Sequence, residues 1–435
     1  MIIKLLNQNY YQHIYLKFKL LFLLIIFFSS ILNNPVLAQL SEFEAEDLIK
    51  HGNQLMRDKD YNNALEDYNH VLKFYPANAE ALFARGLDYM ELKKFQLAIY
   101  DFNRSIASNE KVIYSYLYRG IAYDELDNFN NALSDFNQAL RLAPNTPGAY
   151  INRAKLYTKH KNYFNAINDL SEAIRLKPDT ESAYIMRSQT YLLMHKYHEA
   201  MIDCLKALDL NPNSSNAYIL LGQIDFKQNN YQSALENTNK AIELDPKNIE
   251  AYTHRGLIWI ALKKYRKAIM DYNKAIEIEP SNNNLYYLDG ICYYLTEDFK
   301  DAATLFAHGA KSADNTRVYS TILGYLAYSN PTVNNETKAK QLLTNLTGNK
   351  SKWPMPVIQY LKSEITDSQL LKIAKSNDEL TEAHCYIGLN FLLKEQTPIA
   401  KSELQWVIDH GNKEFTEYSL ALAFVDYKVK VIPKR

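Results

Sequence analysis

One period governs this chain. Gly52, Gly86, Gly120, Gly222, Gly256 and Gly290 sit on a single 34-residue lattice, and Ala154 and Ser188 fill its two remaining points. Twelve residues after each point comes an alanine: Ala64, Ala98, Ala132, Ala166, Ala200, Ala234, Ala268 and Ala302. Three before each alanine stands an aromatic: Tyr61, Phe95, Phe129, Tyr163, Tyr197, Tyr231, Tyr265 and Phe299. Six of the eight units add a proline, at Pro76, Pro144, Pro178, Pro212, Pro246 and Pro280. Eight units in one register, without insertion, mean one supersecondary brick repeated. Such bricks bury their apolar faces only against neighbours, so they stack in a row.

The brick reads as two helices. Apolar residues recur at helical spacing in two segments, separated by a short polar turn such as DKD, DN or KQNN. Small residues mark where the helices cross closely. The proline follows the second helix, where it cannot extend the hydrogen-bond ladder. SEFE at 41–44 supplies a capping box ahead of the first helix. The fold class is all-α, a solenoid of antiparallel helix pairs.

Units such as AYTHRGLIWIALKKYRKAIMDYNKAIEIEP (251–280) resemble tetratricopeptide repeats, which place a large residue, Leu-Gly or Arg-Gly, Tyr, Ala, an aromatic, Ala and Pro in that order. The resemblance covers residues 45–314 as eight tandem units. It implies a right-handed superhelix that binds protein or peptide partners along its concave face. By the same resemblance the first helix of each unit lines that face, near six and three residues before the small residue and one and four after it. The residues so placed are Phe83, Leu87 and Met90; Leu117, Ile121 and Asp124; Ile151, Lys155 and Thr158; Ile185 and Gln189; Ile219, Gln223 and Phe226; then Leu257 and Ile260. This wall is apolar with scattered amides. It suits an extended or helical segment rather than a strongly acidic tail. The family's clamp for a C-terminal carboxylate needs a Lys and an Asn in one unit, and the first unit offers Ile49 with Asn53.

An Arg precedes the small residue at Arg85, Arg119, Arg153, Arg187 and Arg255, and sixteen residues on stand Asp101, Asp135, Asp169, Asp203 and Asp271. Where the Arg lapses the Asp lapses too, as in Leu221 with Asn237 and Leu305 with Asp289. A catalytic site is not copied five times in a row, so the pair reads as an ion bridge between the two helices of a brick. The tyrosines four before the small residue (Tyr116, Tyr150, Tyr184, Tyr218, Tyr252 and Tyr286) read as packing. His195 and His198, three apart at a turn, lack a third metal ligand nearby. Cys204 replaces the usual aromatic as a small core residue, and it should not meet Cys292, three units on. No GxSxG, HExxH, Walker loop or GxGxxG occurs. No catalytic residue, cofactor or metal is assigned.

After residue 314 the pattern loosens. Residues 315–350 read as a degenerate helical unit around Gly324, followed by a linker, TGNKSKWPMP, whose Pro354 and Pro356 oppose helix. Residues 351–435 read as a C-terminal helical region with one repeat-like pair, Gly388 and Ala400 being again twelve apart. The combination WPxP, EAxxYIG and FTEY is similar to the C-terminal part of periplasmic repeat lipoproteins that act as adaptors for proteases and peptidoglycan hydrolases. This chain lacks their lipid-anchor cysteine.

At the other end, Lys4, Lys17 and Lys19 precede the apolar run LLFLLIIFFSSIL and a small-residue site ending at Ala38, so residues 1–38 read as a secretory signal peptide. Its removal takes three Lys and no acid from a chain with 49 basic and 49 acidic residues, leaving a charge of 0 − 3 = −3. That balance carries no nucleic-acid footprint. The expectation is an exported protein, periplasmic or secreted, without a stable membrane span. It is a non-catalytic scaffold or adaptor for protein partners. The alternatives are a self-assembling structural spacer, hence a homo-oligomer, or an enzyme whose activity resides in residues 351–435.

Overall fold

A computed structural model describes residues 40–109, 112–346, 348–349 and 351–425. The expected signal peptide at 1–38 lies outside the described residues. All regular structure among the described residues is helical. The first helices of the eight units are α1 (Glu42–Arg57), α3 (Ala79–Glu91), α5 (Ile113–Glu125), α7 (Pro147–Lys159), α9 (Glu181–Leu193), α11 (Ser215–Lys227), α13 (Ile249–Ala261) and α15 (Asn283–Leu295). Their second helices are α2 (Tyr61–Phe74), α4 (Phe95–Ser108), α6 (Phe129–Leu142), α8 (Tyr163–Leu176), α10 (Tyr197–Leu210), α12 (Tyr231–Leu244), α14 (Tyr265–Ile278) and α16 (Phe299–Gly309).

Local chemistry sets these boundaries. Ser41 caps α1 with a full capping box, and Asn78, Ser214 and Asn248 accept from the backbone N–H three residues on. α7 starts instead with Pro147, whose missing N–H is no loss in the first turn. Each first helix ends in a left-handed residue seven after the small one: Lys59, Lys93, Asp127, Lys161, His195, Asn229, Lys263 and Glu297, with φ between 55° and 65°. No glycine marks these turns, so non-Gly side chains bear the strain of positive φ eight times over. His195 is one of them, and its Nδ1 lies 3.0 Å from the Tyr197 hydroxyl.

At five of the eight lattice points, Gly52, Gly86, Gly120, Gly256 and Gly290, an aromatic ring lies against the small residue. An added Cβ at Gly86 would sit 2.5 Å from the Phe102 ring, and one at Gly290 would sit 2.8 Å from Phe306. The two positions trade volume. Where the lattice carries Ser188, the residue sixteen on is Cys204 rather than a ring, and the Ser188 hydroxyl donates to Ala200 O at 2.6 Å. Phe102, Phe136, Tyr68, Tyr272 and Phe306 are buried in this way, each worth roughly 2–3 kcal/mol of apolar burial. All three cysteines are buried and unpaired.

The Arg–Asp pairs form as bidentate forks: Arg85 Nε and Nη2 meet Asp101 at 2.7 Å each, and Arg119, Arg153, Arg187 and Arg255 repeat the geometry. The remaining guanidinium nitrogen reaches back to the preceding unit. Arg85 Nη1 donates to Asn69 at 2.5 Å, Arg119 to Asn103 at 2.5 Å, Arg153 to Asn137 at 2.6 Å and Arg255 to Asn239 at 2.7 Å. The fork therefore rivets the two helices of one brick and joins that brick to its neighbour. His51 stands in for Arg in the first unit, 2.7 Å from Asp67.

Packing divides the described residues into two compact units, one up to Ala183 and one from Tyr184 on, with the boundary inside α9. Beyond the eighth repeat the second unit continues with α17 (Thr316–Ser329), α18 (Glu336–Asn345), α19 (Met355–Leu361), α20 (Asp367–Ile373), α21 (Asn377–Leu393), α22 (Thr397–His410) and α23 (Thr416–Phe424). The linker expected at 347–356 is in part something else. Pro354 caps α19 and Pro356 sits in its first turn, where proline starts a helix rather than stopping it, and Met355 and Pro356 are buried. Trp353, Leu370, Tyr386 and Phe424 join one large apolar cluster with Phe299, Phe306 and Leu326. The C-terminal region is thus core rather than appendage.

Candidate partner-binding face

First helices of successive bricks touch one another: α1 with α3, α3 with α5 and α5 with α7 in the first unit, α11 with α13 and α15 with α17 in the second. They form a continuous layer in the first unit and paired stretches of one in the second. Which side chains that layer leaves open decides what it can bind.

In the first unit the open positions are apolar. Phe83 is half-buried, its ring 5.7 Å from Tyr118 of the next first helix and 5.9 Å from Phe102. Leu87, Met90 and Ile151 are half-buried, and Ile121 is half-buried against the Phe136–Leu156 core. Tyr114, six before Gly120, is 59% exposed. Lys155 is exposed, whereas Lys159 one turn on is committed, bridging Asp124 at 3.0 Å and Asp127 at 2.6 Å. Leu117 differs from its expected placement. At 7% exposure it packs with Ala132 and Phe136 of its own brick and with Leu156 of the next, so it belongs to the core between them.

The same layer in the second unit is more occupied. Ile185 packs at the edge of a cluster with Leu220, Leu221 and Ile224, while Gln189 is exposed. Ile219 is 2% exposed and belongs to the core beside Ala241 and Ala251, so it too differs from its expected placement. Gln223 is spent within the layer: its amide nitrogen lies 3.1 Å from Glu250 and 2.5 Å from His254 Nε2. Burial lowers His254 to about 4, which leaves the ring neutral and able to accept at Nε2. Leu257 is half-buried, and Ile260 packs against the cluster that includes Tyr294 and Phe424.

Among the described residues no three His, Cys, Asp or Glu side chains gather as a metal site, and no helix is long and apolar enough to cross a membrane. Asp88 is fully buried with neither carboxyl oxygen bonded, and burial, reinforced by Glu91, pushes it up to about 7. The sequence pattern missed Tyr114, Tyr287 and Tyr294. Their register signal was present, but only contacts distinguish an open aromatic from a covered one.

Comparison with known proteins agrees with this geometry. Family models described as tetratricopeptide repeat match residues 49–111, 113–146 and 147–180. The model described as anaphase-promoting complex, cyclosome, subunit 3 matches residues 194–275. No curated protein matches the chain. Among solved structures, a tetratricopeptide repeat protein from Parabacteroides merdae is 21% identical with a TM-score of 0.49, covering 57% of this chain and 98% of that one. The type IV pilus biogenesis factor PilW is 19% identical with a TM-score of 0.46, covering 49% of this chain and 99% of its own. YrrB, described as having an unusual peptide-binding site, is 21% identical with a TM-score of 0.33, covering 42% of this chain and 93% of its own.

Proposed function

Because the chain is a tetratricopeptide-repeat protein, we propose that it is an exported scaffold holding a partner protein along the first helices of residues 40–183. The observation that carries this is the apolar strip of Phe83, Leu87, Met90 and Ile121, half-open beside the exposed Tyr114. Apolar side chains held on a rigid layer favour a partner segment that brings an apolar face of its own, helical or extended. Repeat arrays of this family are generally non-catalytic, and the strip offers contact area rather than reactive groups. Export rests on the basic region, apolar run and small-residue site within residues 1–38. The likeness of WPxP, EAxxYIG and FTEY to envelope adaptors suggests a protease or wall hydrolase as client.

The test is crosslinking capture from envelope extract of the source organism, with the chain lacking residues 1–38 as bait. Leu87→Glu with Ile121→Glu should abolish recovery of the partner while lowering stability by about 1–2 kcal/mol, because both side chains are already partly exposed. Leu117 is unsuitable for this purpose, since a carboxylate there would be buried. Undiminished capture by the double variant would remove the binding assignment.

A further inference from the structure

The motifs WPxP, EAxxYIG and FTEY converge on one buried cluster beneath α23. Trp353 Nε1 donates to Glu382 at 2.9 Å, and the Tyr319 hydroxyl donates to the same carboxylate at 3.0 Å. The Tyr386 hydroxyl donates to Glu417, and Cys385 Sγ lies 3.5 Å from Glu417 O. Glu382 and Glu417 are each 5% exposed. The groups facing them are Tyr287 from α15, Tyr319 from α17, Trp353 ahead of α19, and Asp378, Cys385 and Tyr386 from α21. These are hydroxyls, an indole, a thiol and a third carboxylate. No cation stands among them. Two ionised carboxylates in such surroundings repel each other in a low dielectric, so the cluster is stable only while it keeps a proton.

α23 also sits where a partner would. The Phe424 ring lies 5.3 Å from Tyr294, and Thr416 hydrogen-bonds Tyr287. Tyr287 and Tyr294 stand three before and four after Gly290, the same register as Phe83 and Met90 around Gly86. Between them Ile291 is 2% exposed. Just ahead of α23, Glu414 meets Lys227 at the end of α11 at 2.7 Å. Residues 414–424 thus touch the first helices of both the sixth and the eighth repeats.

We propose that residues 414–424 are an internal occupant of the binding face of the last repeats, held while the buried cluster of Glu382 and Glu417 keeps a proton and released when that proton passes to solvent. That release would free a surface for partners rests on the reading of the first helices as the binding layer; the release itself does not. Burial, aided by the Glu417 charge, pushes Glu382 up to about 8, and burial likewise raises Glu417. A carboxyl raised in the folded state contributes fully to the closed form below its open-state value and loses that contribution as pH rises to the folded value. The seat is therefore firmest in acid and loosens progressively up to about pH 8.

Hydrogen–deuterium exchange on the full chain, corrected for base catalysis, reads the release without any partner. Between about pH 6 and about pH 9.5, amides of 418–424 should lose about tenfold in protection while those of α22 keep theirs. Glu382→Gln and Glu417→Gln each remove one titrating carboxyl, and each should reduce the change to well under half that of the parent. If Glu417→Gln loosens α23 already at low pH, Glu382→Gln, on a different helix, decides. Phe424→Ala should open the segment at both pH values. Protection of 418–424 that persists at high pH, or that falls as far in both Gln variants as in the parent, overturns the proposal, as does full protection in Phe424→Ala. Because no partner takes part, failed capture by residues 40–183 would leave this result untouched.

Discussion

The first helices of the N-terminal unit and those of the last repeats obey one register but end in opposite states. Around Gly86 the register leaves Phe83, Leu87 and Met90 half-buried; around Gly290 it places Tyr287 and Tyr294 against α23. The brick is the same in both. What differs is whether sequence from outside the repeats comes back to cover it. A repeat array therefore does not present one uniform binding face, and its free length is decided by elements that are not repeats.

The comparison assumes that the two regions share a scaffold, and the largest expected effect tests that assumption. Gly86→Val in the first unit and Gly290→Val in the second each drive a side chain into a ring, Phe102 or Phe306. Each should lower stability by about 3–5 kcal/mol in chemical denaturation. A loss in one region only would show that the close helix crossing is not common to both. Next comes the rivet. Asp135→Asn and Asp271→Asn leave Arg119 and Arg255 without their carboxylates, and each should cost about 2–4 kcal/mol, since the acids are 4% exposed. Unchanged melting of either variant would mean that the fork is decorative in that unit. The smallest effect is a gain. Lys93→Gly and Lys263→Gly relieve positive φ at matching turns and should each stabilise by up to about 1 kcal/mol, provided the relief exceeds the added freedom of the unfolded chain. Opposite signs in the two units would show that the turn strain is not shared.

Much of this was legible in the residues. The brick and its helix–turn–helix plan follow from Gly52 to Gly290, the alanines twelve on and the aromatics at Tyr61 to Phe299. The Arg–Asp fork was visible because presence and absence varied together within one chain. Its third contact, to Asn69, Asn103, Asn137 and Asn239, was not, because it joins different units and the Asn type alone carries no signal of a partner. The left-handed turns escaped notice because Lys, Asp and His stand where glycine would have marked positive φ. Leu117 and Ile219 share a register with Phe83 and Ile185, yet they pack inward. A small rotation of the helix moves a side chain between face and core.

By itself, the sequence determined the period, the helical pair and the small-against-large pairing across each crossing, because these depend on contacts within about forty residues and recur. Only the tertiary structure decided which bricks remain open. That depended on where Glu417 and Phe424 return to Tyr287 and Tyr294, contacts that span more than a hundred residues. Such contacts are made once rather than repeated, so no periodicity announces them. They are settled by which apolar faces and which unpaired carboxylates find cover when the chain closes on itself.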